Sequence, residues 1–168
     1  MKLRDEQAMA DRESFLAYVV TTALEGGIGY YSQCHEYCWY FPNLEGGTDK
    51  PAPHGGGNAY ASITLDDDED ERPRLWEITP QLIASAFNLL LDDDYRPSVH
   101  GSYGPEGRVE TDWSTWPETV LGCHGSLPSL EWRDRMLRAR KENEAGDIDA
   151  GDADTLVQLG LFGAEVFG

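Results

Sequence analysis

Cys34, His35, Cys38, Cys123 and His124 carry the soft donors that a zinc ion takes. If the first of these stretches is helical, Cys34 and Cys38 share a face, and Cys123 with His124 could complete a tetrahedral set. A Cys-x3-Cys spacing beside a Cys-His pair matches no zinc-finger pattern, so buried free thiols are the simpler expectation, with a zinc-containing interaction module kept as an alternative. Asp147, Asp149, Gly151, Asp152 and Asp154 look like part of a calcium loop. Their glycine falls one place early, and no Glu closes the loop at its twelfth position, so a capped helix start accounts for them better. Cys123, His124 and Ser126 could pair as nucleophile and base, but adjacent residues seldom face each other and no elbow motif surrounds them. With 31 Asp and Glu in the chain, a chance pair of carboxylates is unavoidable and carries no case for acid/base catalysis. We expect no enzyme and no cofactor.

The acids themselves are the outlying feature. Against 31 Asp and Glu stand 13 Lys and Arg, a formal charge of −18 over 168 residues. Such a surface repels nucleic acid and anionic lipid, which argues against direct nucleic-acid or membrane binding. The acids fall in three groups: Asp66, Asp67, Asp68, Glu69, Asp70 and Glu71 in one run, Asp92, Asp93 and Asp94 in another, and a third from Glu142 to Asp154. One reading is solubility alone. A second is an acidic patch for a protein with a basic surface. The sharpest is mimicry of DNA, with carboxylates standing in for phosphates: duplex DNA carries about one charge per 1.7 Å, so a face about 40 Å long corresponds to about 24 phosphates. A globule of this length is roughly that wide. Mimicry needs the three groups on one face.

Glu25, Tyr30, Tyr31, Tyr37, Trp39 and Tyr40 lie beside Gly26, Gly27 and Gly29. Such aromatics could stack a base while Glu25 binds a sugar or an amine, which makes a small nucleotide a possible ligand. The simpler expectation is that they are core.

The elements that position these residues follow from periodicity. Phe15, Leu16, Val19, Val20, Ala23 and Leu24 mark one face of a helix near 5–25, with Asp11 able to cap it and Gly26 and Gly27 ending it in a left-handed turn. Residues 28–38 fit either a short helix or an extended segment, and Tyr37 to Phe41 reads as strand, closed by Pro42. Residues 43–58 are a loop. Its triple glycine lacks the Lys and Ser or Thr of a phosphate loop. Ala59 to Leu65 alternates as a strand with one buried face, the acidic run 66–71 is a loop tip, and Arg74 to Ile78 can return as a second strand. Thr79 and Pro80 open a helix to about 91 with Leu82, Ile83, Ala86, Phe87 and Leu90 inward. Residues 95–127 form a long loop. Helices near 130–144 and 153–165 follow, the last capped by Asp152. The expected fold is a single α+β domain of 168 residues, four helices around a small antiparallel sheet.

Both ends of the chain carry motifs: Thr22-Ala23-Leu24-Glu25-Gly26-Gly27 with Tyr30-Tyr31, and Asp152, Asp154, Gln158, Phe162-Gly163 and Val166-Phe167-Gly168. Together they resemble a family of small uncharacterised proteins encoded by tailed phages, over about a quarter of the chain. Tyr31 stands where that family usually has Trp, and Glu165 sits one residue later than the family's glutamate. The resemblance implies an origin rather than a reaction; proteins of this kind often bind and inhibit host enzymes or host defence. Three cysteines and a charged start, Met1-Lys2-Leu3-Arg4-Asp5-Glu6, fit a reducing cytoplasm, that of the host cell for a phage protein. The longest apolar run, Phe15 to Leu24, is about half of what a bilayer requires.

Overall fold

The chain runs through α1 (Lys2–Gly26), a 3-10 turn (Ile28–Tyr30), β1 (Ser32–Cys38), β2 (Tyr60–Leu65), β3 (Trp76–Ile78), α2 (Pro80–Leu90), α3 (Leu130–Glu142), a second 3-10 turn (Ala145–Asp147) and α4 (Ala150–Phe162). The computed structural model describes residues 2–38, 59–66, 73–97 and 125–167. The strands form one antiparallel sheet in the order β1-β2-β3, and the four helices pack with it into an α+β domain.

α4 is the organising helix. Ala153, Leu156, Val157, Leu159 and Phe162 are buried along it, as are Thr155 and Gln158, because α1 and α2 both lie against it. A helix buried on several sides needs small residues where neighbours cross, and Gly160 is one: a Cβ there would sit 2.7 Å from Leu82 Cγ and 2.8 Å from Leu82 O. Phe15 of α1 meets Phe87 of α2 at 5.8 Å between ring centroids. Ile63 and Ile78 bring the sheet's inner face to the same core. Removing such a side chain, as in Phe87→Ala, costs about 3–5 kcal/mol in other cores.

Four local expectations are corrected. α1 begins at Lys2, so Asp11 lies inside it rather than capping it. Gly27 has φ −102 and ψ −53, a right-handed conformation, so no left-handed turn ends α1. The glycines serve close approach instead: a Cβ on Gly26 would lie 2.6 Å from Ala150 Cβ, and one on Gly27 would lie 2.8 Å from Ala150 O and press on Asp154 Cβ. The strand starts at Ser32, well before Tyr37, and residues 39–41 lie outside the described residues. Finally, β2 is buried on both faces rather than one: as the middle strand it is flanked on each side, and Ser62 and Thr64 are only 7% exposed.

α2 follows its sequence pattern closely. Thr79 Oγ1 accepts the Leu82 N–H at 3.2 Å, and Pro80 opens the first turn without wasting a donor. α3 is capped by Ser129, which accepts from Trp132 N, and ends at Asn143 in the left-handed region, φ 56. Among the described residues no helix is long and apolar enough to cross a membrane.

Candidate functional site

Two carboxylates two residues apart on α4 face opposite neighbours, and each ties down a different part of the chain. The N-cap is Asp149, not Asp152: Asp149 Oδ1 accepts the Asp152 N–H at 2.8 Å, and Asp152 Oδ2 accepts the Asp149 N–H at 3.3 Å, a reciprocal capping box. Asp152, 5% exposed, also accepts from Trp132 Nε1 at 2.8 Å and from Arg135 Nη1 and Nη2 at 2.6 and 2.7 Å. Burial pushes its carboxyl up. The hydrogen bonds from Arg135, Trp132 and the Asp149 N–H outweigh that and hold it below the usual carboxylate range.

Asp154 ties the two ends of the chain together. Tyr31 donates its hydroxyl to Asp154 Oδ1 at 2.7 Å and stacks on Phe167, ring centroids 4.4 Å apart and 8° from parallel. Gln158, fully buried, donates to Asp154 Oδ2 at 3.0 Å and to Phe167 O at 2.7 Å. Its own oxygen accepts the Val166 and Phe167 N–H groups, both at 2.7 Å. One amide side chain thus satisfies three backbone groups of a terminal segment that forms no regular structure. Burial raises the Asp154 carboxyl despite the hydrogen bonds from Tyr31 and Gln158. It raises Glu165 as well, with the Asp154 charge adding to the effect.

These links place the described residues of the acidic segments. The Asp66 N–H donates to Tyr31 O at 2.9 Å, so the first segment starts one residue contact from Asp154. Asp67, Asp68, Glu69, Asp70 and Glu71 lie outside the described residues. Asp92, Asp93 and Asp94 follow α2 and are exposed. Asp92 Oδ1 accepts the Asp94 N–H at 2.9 Å, and Arg96 Nη1 donates to Asp93 O at 3.0 Å. Arg133 donates to Leu90 O and, at 3.5 Å, to Asp92 O, while its neighbour Trp132 reaches Asp152. The second segment therefore reaches α4 by way of α3. The third is α4's own N-terminal approach.

Of the ligand-pocket candidates, Tyr31 is buried and committed to Asp154 and Phe167, whereas Tyr30 is 87% exposed and Glu25 is exposed. Trp39 lies outside the described residues. A groove of about 740 Å³ opens elsewhere, along β3, lined by His35, Glu36, Ser62, Arg74, Trp76 and Glu77 among others. Glu36 and Glu77 flank Ser62 on one face, by the strand register, and the Arg74 guanidinium lies 3.9 Å over the Trp76 ring. The strand-type spacing Arg74-x-Trp76 was the available sign of that stack, since residues two apart on a strand share a face. His35 Nε2 lies 2.9 Å from Thr64 Oγ1.

The helical premise of the zinc reading does not hold. Cys34 and Cys38 lie on β1, opposite Ile63 and Tyr60 across a bulge, and strand spacing separates them by about 10–13 Å, too far to share a metal. Cys123 and His124 lie outside the described residues. Among the described residues, no three His, Cys, Asp or Glu side chains gather as a metal site.

No protein-family model matches the chain, and neither the curated proteins nor the solved structures contain a match.

Proposed function

We propose that the protein is a phage-type, non-enzymatic binding protein that inhibits or sequesters a host factor with a basic surface, in its sharpest form by presenting carboxylates in place of DNA phosphates. The observation supporting this reading is that described residues of three sequence-distant acidic segments lie within one or two residue contacts of α4: Asp66 through Tyr31 and Asp154, Asp92 through Arg133 and Trp132, and the exposed Asp147 and Asp149 at its start. Charges gathered this way steer a basic partner from a distance and lose strength as salt screens them. The host cytoplasm, and interference with host defence, are the setting that the phage-like ends suggest.

The test is capture from host lysate at about 0.1 M and about 0.5 M salt, where screening lengths differ severalfold. The expected result is a DNA-binding protein held at low salt, lost at high salt, displaced by duplex DNA, and captured poorly by a variant with Asp92, Asp93 and Asp94 changed to Asn. Recovery of a nucleotide at both salts, with no protein partner, overturns it. That outcome favours the second reading, capture of a small ligand, which moves from Tyr30 and Tyr31 to the groove because His35 and Glu36 line it.

A further inference from the structure

α1 and α3 each bring one guanidinium to the Phe15 and Phe87 pair. Arg12 Cζ lies 5.7 Å from the Phe15 ring centroid and Arg140 Cζ 5.7 Å from that of Phe87, and the two rings are 5.8 Å apart. In a chain with 31 carboxylates, neither arginine has an ion-pair partner among the described residues. Arg12 Nη1 is buried and has no hydrogen-bond partner among the described residues. Both guanidinium groups thus stand at one ring pair, and burial, and after it the Arg140 charge, lower the Arg12 pKa.

Each arginine alone has an ordinary explanation. A guanidinium over a phenyl ring shields the core and gains a cation–π contact, and the carbonyl end of α3 favours Arg140 and Lys141 in its last turn. Neither explanation accounts for Arg12 arriving at the same ring pair from another helix with a buried donor unmade among the described residues. Like charges held together and an unsatisfied N–H are both unfavourable, and one oxyanion between them removes both costs. Two guanidinium forks take two oxygens each, so a carboxylate is used up by one fork, whereas a phosphoryl group has oxygens for both.

We propose that Arg12 and Arg140 form a binding site for a phosphoryl group, separate from the acidic surface around α4. The overall charge of −18 opposes anions at a distance, so binding here is short-range and depends on these two side chains.

The test is an NMR titration of the arginine Nε–H signals of the full chain with inorganic phosphate and, separately, with succinate, at an ionic strength held at about 0.15 M. Saturable phosphate shifts at Arg12 and Arg140, absent at the exposed Arg138, are expected. Arg140→Gln should weaken phosphate about tenfold or more. Arg12→Lys, which keeps the charge but not the fork, should lose most of the affinity. Changing Asp92, Asp93 and Asp94 to Asn should leave phosphate binding in place, which separates this site from the proposed partner surface. Absence of saturable phosphate binding overturns the assignment. So does unchanged affinity in both arginine variants, or succinate binding as tightly as phosphate. Should Arg140→Gln fail to fold, Arg12→Lys and the wild-type shifts decide the matter.

Discussion

Arg135 and Arg140 lie five residues apart on α3 and meet their neighbours in opposite ways. At Arg135 the partner is Asp152, whose two oxygens are taken by the guanidinium, the Trp132 indole and the Asp149 N–H. At Arg140 the other guanidinium on the Phe15 and Phe87 pair is that of Arg12, a like charge with a buried donor left over among the described residues. The first site is closed: both Asp152 oxygens have partners, and α3 is locked to the start of α4. The second is open: Arg12 Nη1 is buried without a hydrogen-bond partner among the described residues. Satisfaction of the buried atoms is what separates the structural lock from the site proposed for phosphate.

Breaking the closed site should have the largest effect. Asp152→Ala removes the ion pair, the indole acceptor and half of the capping box together. We expect a loss of about 3 kcal/mol, toward the lower limit for a buried pair because Arg135 remains half exposed to water. Thermal unfolding should fall by about 6–12 °C for a chain of this size. A loss under about 1 kcal/mol would mean that the capping box and packing hold α4 without the pair.

The α4 region can also be broken without touching a charge. Gly27→Ala places a methyl against Asp154 Cβ and Ala150 O and should cost about 1–3 kcal/mol by overpacking. It should also loosen the stack of Tyr31 on Phe167, read as faster amide exchange at Val166 and Phe167. Unchanged exchange would show that Gln158 and the Ser126–Glu165 bridge hold the terminal segment without the stack. By contrast, Arg140→Gln in chloride should change stability by no more than about 0.5 kcal/mol, as for surface substitutions generally, since it relieves repulsion while losing a ring contact. A large loss in chloride would make Arg140 part of the structure and erase the contrast with Arg135.

The smallest effect is in pH dependence, and its sign differs between the carboxylates. Burial, then the Asp154 charge, raise Glu165 above 4.5. The folded state therefore binds a proton more tightly than the unfolded chain, and this contribution to stability is lost as pH rises from 4.5 through the folded value. Asp154 behaves likewise from 3.8 upward. Asp152, held below 3.8, has the opposite sign and loses its contribution only as pH falls through its folded value. Glu165→Gln should thus flatten the decline in stability above pH 4.5, with a gain of a few tenths of a kcal/mol near neutrality, on the scale of other surface-proximal changes. An unchanged slope would leave Asp154 as its source.

Local periodicity and capping chemistry determined a good deal here. Thr79-Pro80 with Leu82, Ile83, Ala86, Phe87 and Leu90 specifies α2, because a cap and an apolar stripe at helical spacing depend only on near neighbours. Four helices, an antiparallel sheet and one α+β domain follow from patterns of that kind. Tertiary structure decided what such patterns omit. Gly26 and Gly27 carry the same letters for a left-handed turn as for a close crossing, and only the position of Ala150 selects the crossing. Asp149 and Asp152 are equivalent caps by type, and the choice of Asp149 follows from Arg135 and Trp132 claiming Asp152. Tyr31 read as a possible ligand platform until Phe167, 136 residues away in the sequence, covered its ring. Arg12 gave no sequence signal: Asp11 and Glu13 adjoin it along the chain, and its burial without an ion-pair partner among the described residues depends on the fold. Charge and periodicity are properties of single positions along the chain, whereas the satisfaction of a buried polar atom is set by what the fold brings next to it.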